Sequence, residues 1–211
     1  MNEQILNVSR ETFFQRLSGG LSHLGIELSL SGSNTLFDFW QEVLRWNRTH
    51  NLTTITDIEK AIENHFLDSM LPASEQAVFS SFKKVMDLGT GAGFPGVPLS
   101  VLFPATDYHL LDKSHKKISF LHLVSGTLNL KNVYPVLGTL SLHNERYDAI
   151  VSRAVKIDDE IFSYCKKLIN PGGYLIVYYS SNQPPYASSH LSLTRKFDIN
   201  GASRAVSFYQ F

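Results

Sequence analysis

Residues Asp87–Leu99 read DLGTGAGFPGVPL, beginning inside the apolar run Val85–Leu88 and leading into a helix-compatible stretch. The order is strand, glycine loop, helix start, with an acidic residue on the strand. Glycines leave no Cβ between backbone and ligand, and a helix N-terminus offers free N–H groups. This order therefore brings backbone against a nucleotide-like ligand. The next strand ends in Asp112 (HLLD), about 20 residues beyond the loop. A carboxylate there accepts hydrogen bonds from both ribose hydroxyls and repels a 2′-phosphate, which argues against NADP. Asp112 also suits the N-cap of the following helix, and the two roles are compatible.

From Lys83 onward, strands and helices alternate. Candidate strands are Val85–Leu88, Asp107–Leu111, Val133–Leu137, Ala149–Val151 and Tyr174–Tyr179, with helices at Val97–Phe103, Ser114–Leu128 and Asp158–Ile169. Short connections with helices between strands imply right-handed βαβ units, a parallel sheet and an α/β, Rossmann-like fold. Ser180–Ser192 reads as loop, and Lys196–Ile199 and Ala205–Phe211 as terminal strands. Upstream, Met1–Ala77 reads as helical. Phe13, Phe14, Leu17, Leu21 and Leu24 share one stripe that Gly19-Gly20 interrupts; Leu36, Trp40, Val43 and Leu44 form a second. Thr56-Asp57-Ile58-Glu59 fits a capping box opening a third helix, whose apolar face carries Ile58, Ile62, His65, Phe66 and Met70. Pro72 lies just past its expected end. The expected organisation is a helical extension (1–80) and a Rossmann-like core (81–211), integrated as one domain.

The chain has 211 residues and is 43% hydrophobic, enough for one domain with a sizeable core. Lys+Arg and Asp+Glu are both 19, so there is no global electrostatic footprint for nucleic acid. Cys165 is the single cysteine, which excludes internal disulfides and multi-cysteine zinc sites; its apolar setting suggests a buried thiol. No metal site is expected. MNEQILNVSR lacks a secretion signal, and no apolar run approaches the ~20 residues that span a bilayer. A cytoplasmic monomer is the expectation.

The glycines fit two registers. Gly91-x-Gly93-x-x-Gly96 is the dinucleotide fingerprint, whereas Asp87-x-Gly89-x-Gly91-x-Gly93 resembles the class I S-adenosylmethionine methyltransferase pattern. Two further features resemble that class: Asn170-Pro171-Gly172-Gly173 before YLIVYY, and YDAIVSR (Tyr147–Arg153) as a fourth strand. Ligands of open α/β sheets sit at strand carboxyl ends, which places Ser152, Arg153 and Ala154 near the cofactor.

The resemblance extends through ordered blocks: Trp46-Asn47-Arg48, Asn51-Leu52-Thr53, His65-Phe66-Leu67-Asp68-Ser69, the glycine loop, LLDKSHKKISFL and Ser152-Arg153-Ala154. Over roughly Leu36–Gly173 the chain is similar to the RsmG family, also called glucose-inhibited division protein B. The resemblance implies transfer of a methyl group from S-adenosylmethionine to N7 of one guanosine in small-subunit (16S) ribosomal RNA. The partner would be that RNA or the ribosomal subunit. It implies a class I methyltransferase sheet with an N-terminal helical subdomain. Gly89 and Phe94 would line the methyl-donor pocket together with Asp87, Gly91 and Gly93. Asp112 would hold the ribose, Arg153 would face the cofactor, and the loop at Leu140–Ser141 would flank the adenine. The chain departs from the family at three places: Leu140-Ser141 supplies no acid, Asn64 stands where Arg is common, and Tyr178-Tyr179-Ser180-Ser181 replaces a Lys-Gly pair.

Guanine N7 has a lone pair and no proton, so attack on a methyl group needs positioning rather than a general base. Asn51, His65, Asp68 and Arg153 are the candidates for that positioning. Asn51 equally suits a turn in HNLT, and a histidine on an apolar helix face such as His65 is more often a core residue. His65 and Asp68, three apart on a helix, can bond each other, or can simply join the helical subdomain to the sheet. Lys113, His115, Lys116 and Lys117 read either as phosphate contacts or as a solvated helix face. Trp40 and Trp46 read as core residues before base platforms. Two other readings share the loop. An NAD-dependent oxidoreductase lacks its Tyr-x-x-x-Lys pair, since Leu168 follows Tyr164 by four. A non-catalytic ribosome-binding protein retaining the cofactor fold needs no further residue.

Overall fold

The computed structural model describes residues 9–180 and 182–211. Most of the stretch read for a secretion signal, and Ser181, lie outside them. The first helix, α1 (Arg10–His23), starts at Ser9, whose Oγ accepts the Thr12 N–H at 3.1 Å. Its buried face is Phe13, Leu17 and Leu21, at the expected helical spacing. Gly19-Gly20 does not interrupt it. Gly20 is instead a packing notch: a Cβ there would stand 2.6 Å from Leu67 Cδ1. Helix α2 (Leu30–His50) buries Leu36, Phe39, Trp40 and Val43, and stops at Asn51 in the left-handed region (φ 49°, ψ 54°).

The third helical segment departs from expectation. Asp57, not Thr56, caps α3 (Ile58–Ala61), its Oδ1 accepting the Lys60 N–H at 2.9 Å. A carboxylate gains more than a hydroxyl from the helix N-terminal field. The chain then widens into a π turn at Ile62–Leu67, returns to α4 (Asp68–Met70) and tightens to a 3₁₀ turn, Leu71–Ser74, before α5 (Gln76–Phe79). The α-helical run ends at Met70, and Pro72 lies just past it, on the 3₁₀ turn.

The remaining elements are β1 (Lys84–Leu88), α6 (Gly96–Leu102), β2 (Asp107–Asp112), α7 (His115–Thr127), β3 (Val133–Leu137), β4 (Tyr147–Ser152), α8 (Asp159–Leu168), β5 (Ile169–Ser180), β6 (Leu191–Ile199) and β7 (Ala202–Gln210). They form one seven-stranded sheet in the order β3-β2-β1-β4-β5-β7-β6. Strands β1–β5 are parallel, and β7 runs antiparallel between β5 and β6. The α/β class and parallel sheet expected from the alternation are present. Strand β6 starts at Leu191, within the stretch read as loop, because its residues pair along β7.

Two apolar layers flank the sheet. One joins the α1–α5 residues to α6, α7 and one sheet face through Phe39, Phe66, Phe94 and Phe120. The other packs α8 (Phe162, Cys165 and Leu168) on the opposite face. Helices and sheet thus share a single core on the first side. Among the described residues no helix is long and apolar enough to cross a membrane.

Asn170–Gly173 belongs to β5 rather than preceding it, as a bulge between the Tyr147↔Ile169 and Ala149↔Tyr174 pairs. A Cβ on Gly173 would stand 2.5 Å from the Asp148 carbonyl oxygen and 2.9 Å from that of Asn170. Backbone cannot swing aside as a side chain can. Gly173→Ala is therefore expected to cost about 1–3 kcal/mol, read as a lower urea midpoint with unchanged m-value.

Candidate functional site

β1 lies between β2 and β4, so the chain leaves it toward one side and returns on the other. This makes the carboxyl ends of β1 and β4 the switch-point crevice. The loop after β1 is fixed from below: Gly89 and Thr90 donate their N–H groups to the Leu111 carbonyl at 2.9 and 3.1 Å. Gly89 has φ +71°, and a Cβ on it would lie 2.5 Å from Val155 Cγ2. Only glycine lets the loop approach the segment after β4 this closely.

Two carboxylates organise the loop. Asp87 is fully buried, and its Oδ2 accepts the Gly96 N–H at 2.8 Å. Burial pushes this carboxyl up to about 6. Asp112 accepts the Gly91 N–H on Oδ2 at 3.0 Å and the Ser114 N–H on Oδ1 at 2.9 Å. Ser114, not Asp112, is the N-cap residue of α7. Lys117 Nζ lies 3.5 Å from Asp112 Oδ2. Lys113, His115 and Lys116 of the same basic cluster are exposed.

The other wall comes from the π turn. His65 stacks on Phe94, with ring centroids 4.5 Å apart and planes 16° from parallel. His65 Nε2 meets Thr53 Oγ1 at 2.9 Å. A His65–Asp68 bond is absent, because i→i+5 geometry widens the turn and residues three apart no longer overlie. Asp68 instead pairs with Arg153, whose Nη1 donates to Asp68 Oδ2 and to the Asn64 carbonyl, both at 3.0 Å. The Arg153 guanidinium also lies 5.6 Å from the Phe94 ring centre. Arg204 of β7 approaches Asp68 Oδ1 at 3.4 Å and donates to Asn64 Oδ1 at 2.8 Å.

His65, Asp68, Arg153 and Phe94 therefore form one contact group, with the glycine loop beside it. Asn51 is not in that group: it is the exposed left-handed C-cap residue of α2, and Thr53 makes the link to His65. Leu140 is a core residue of the α8 layer, which leaves Ser141 and backbone as the polar groups of the 3₁₀ turn Leu140–Leu142. Trp40 is buried, and Trp46 packs 5.5 Å from Phe120. Tyr178 ties β5 to the helical layer, its hydroxyl donating to the Ser69 carbonyl at 2.7 Å. Cys165 is buried and its thiol is pushed up to about 12 by burial, which makes it unreactive. No group of metal-ligating side chains occurs among the described residues. Thr53 stands in a quoted block without an assigned role, and Arg204 is an isolated arginine in an ambiguous tail.

Some of the buried polar atoms without a hydrogen-bond partner belong to residues of β1, its loop, β4 and the π turn, and others, such as Ser18 Oγ and Tyr108 Oη, lie elsewhere. Asp87 Oδ1, Thr90 Oγ1, Ser152 Oγ and His65 Nδ1 are of the first kind. Such atoms cost folding free energy unless a ligand or water satisfies them.

Burial, then the positive charge of Arg153, lowers His65 from 6.5 to about 4, so it is neutral at pH 7. The unfolded chain protonates this ring below 6.5 and the folded chain only below about 4. Its contribution to stability is thus full above pH 6.5 and is lost as pH falls toward 4, by at most about 3 kcal/mol. Asp87 has the opposite slope, losing stability as pH rises from 3.8 through about 6. The stability gap between the protein and His65→Asn is expected to shrink from pH 7 to 4.5, measured by urea unfolding. A gap independent of pH would show that His65 titrates normally.

The family model described as GidB, rRNA small subunit methyltransferase G, matches residues 33–189. A relative from Syntrophobacter fumaroxidans, "Ribosomal RNA small subunit methyltransferase G 1", is 31% identical, covering 92% of this chain and 94% of its own. One from Alkaliphilus metalliredigens, "Ribosomal RNA small subunit methyltransferase G", is 37% identical over 76% of this chain and 69% of its own. The chain belongs to the rRNA small subunit methyltransferase G (GidB) family.

Solved structures share the fold of this family member. TehB from Haemophilus influenzae superposes with TM-score 0.50 at 23% identity, covering 78% of this chain and 65% of that one. The Escherichia coli protein yhhF gives 0.53 at 16% identity, covering 68% and 84%. The GidB match ends at residue 189, before β6 and β7. Arg204 therefore reaches Asp68 from outside the matched segment.

Proposed function

We propose that this protein transfers a methyl group from S-adenosylmethionine to N7 of a specific guanosine in 16S ribosomal RNA. The observation that carries the reading is the glycine loop at the carboxyl end of β1, with Asp112 at the end of β2 bonded to its Gly91 N–H and with Ser152 Oγ and His65 Nδ1 buried without partners. That arrangement suits a polar, nucleoside-bearing methyl donor. Asp112 would hold its ribose, as the carboxylate closing β2. Gly89, Gly91 and Gly93 would present backbone to it, with Asp87 fixing the loop from beneath. Ser141 and the backbone of its turn would border the adenine.

Bound there, the donor supplies an electrophilic methyl group on a positively charged sulfur. The chain's part is to orient the acceptor. His65, held near 4, is too weak a base to take a proton at neutral pH, and N7 attack requires none. It acts through its stack on Phe94. Arg153 is locked by Asp68 and Asn64 and gives a fixed donor beside that stack. Arginine commonly takes guanine O6 and N7 together, so here its contact would have to be to O6 alone, which would leave N7 free to attack. In this reading the protein acts on RNA as a monomer in the cytoplasm.

The first test pairs calorimetric binding of S-adenosylhomocysteine with incorporation of labelled methyl into small-subunit RNA. One-site binding with incorporation is expected. Binding of NADH in preference to the nucleoside would overturn the reading in favour of an oxidoreductase. Nucleoside binding without incorporation would favour the non-catalytic ribosome-binding alternative.

A further inference from the structure

The two arginines at the π turn, from different strands, contact the same two residues. Arg153 comes from the end of β4 and takes Asp68 Oδ2 and the Asn64 carbonyl, each at 3.0 Å. Arg204 comes from β7 and takes Asp68 Oδ1 at 3.4 Å and Asn64 Oδ1 at 2.8 Å. Asp68 is buried, so its carboxylate has little water to share it with. With both oxygens engaged, the carboxylate is held against rotation about its terminal torsion. The Arg153 guanidinium is then held against rotation in turn. Without Arg204, Asp68 turns toward a single cation and Arg153 gains freedom at the face of Phe94.

We infer that Arg204 is a positioning residue for methyl transfer, acting on the site through Asp68 and Asn64 to fix Arg153. This rests on the methyl-transfer reading above. The residue lies in the terminal hairpin, beyond the segment matched by the family model. The hairpin thus completes the site rather than merely closing the sheet. Misplacing a catalytic group by about 1 Å costs up to ~10²-fold in rate, so a positioning role belongs in kcat.

The test measures kcat, KM for RNA and the dissociation constant for S-adenosylhomocysteine in Arg204→Ala, Arg204→Lys and Asn64→Ala. Each is also placed in the Arg153→Ala background. Arg204→Ala is expected to lower kcat about tenfold or more, with both binding constants within about threefold of the parent. Lysine restores part of the loss, because it keeps the charge on Asp68 but not the second bond to Asn64. Asn64→Ala lowers kcat in the same direction by less, since the backbone carbonyl that Arg153 uses remains. In the Arg153→Ala background, Arg204→Ala adds less than about twofold.

A raised KM for RNA with a reduced salt slope and unchanged kcat would overturn the inference, making Arg204 a phosphate contact. Additivity with Arg153→Ala would overturn it as well. If Arg204→Ala does not fold, the lysine variant and Asn64→Ala carry the test. Full activity of both would then contradict it. A parent protein that binds the nucleoside but transfers no methyl to RNA would refute the underlying reading instead.

Discussion

Asp112→Asn weakens S-adenosylhomocysteine binding about 100-fold while leaving the fold intact. The carboxylate closes β2, and its two oxygens already accept the Gly91 and Ser114 N–H groups. Oδ1 retains a second lone pair for a ribose hydroxyl, and Oδ2 gains one when Lys117, 3.5 Å away, swings aside. The amide keeps the shape but turns one acceptor into a donor. One ribose bond is lost, and a donor then faces a backbone N–H. A hydrogen bond to a charged group contributes about 1.5–3 kcal/mol, and each 1.4 kcal/mol is a factor of ten in Kd. Two such disturbances give the ~100-fold effect. Lys117 loses its charged partner as well, which is worth little because that side chain is half-exposed. Calorimetry at matched salt reads the affinity, and thermal unfolding reads the fold. A Kd within about threefold of the parent would remove Asp112 from the nucleoside site.

Arg153→Ala lowers methyl transfer about 10²–10³-fold with a smaller change in nucleoside affinity. Among the described residues the guanidinium is the one fixed cation in contact with both the π turn and the Phe94 face. Its removal leaves Asp68 with Arg204 alone. Breaking a fully buried ion pair costs 3–5 kcal/mol; here one partner remains and the pair is not fully dry, so about 2 kcal/mol is expected. Arg153→Lys keeps the charge but cannot span Asp68 and the Asn64 carbonyl together, and recovers only part of the rate. Single-turnover kinetics with saturating nucleoside separates the transfer step from binding. Full activity in Arg153→Ala would sink the role assigned to this arginine.

Much of the fold is legible in the sequence because its signals are local. A short apolar run, four glycines and an acidic residue at the end of the next strand are enough to place β1, its loop and β2. The positions of Asp87, the glycines and Asp112 at one crevice follow from parallel topology. What is not legible depends on contacts distant in sequence. The π turn has no periodicity of its own, so a helix with Asp68 one turn after His65 is the natural expectation. The geometry at residues 62–67 instead sends Asp68 to Arg153. Gly19-Gly20 looks like a break until Leu67 is seen to need the space over Gly20. The loop at Leu140–Ser141 enters the site through the resemblance, whereas the burial of the Leu140 side chain in the α8 layer comes from contacts distant in sequence. Arg204 carries no local signal: its significance comes from a strand pairing that places β7 beside β5.

The measurement that bears most directly on the account is the chemical position of the transferred methyl group. Small-subunit RNA lacking the modification is incubated with the protein and S-adenosylmethionine. It is then reduced with borohydride and treated with aniline, which cleaves the chain only where guanine carries a methyl on N7. The account predicts one new cleavage at a single guanosine, absent with Arg153→Ala. Methyl incorporation without aniline cleavage, or cleavage spread over many guanosines, would contradict it.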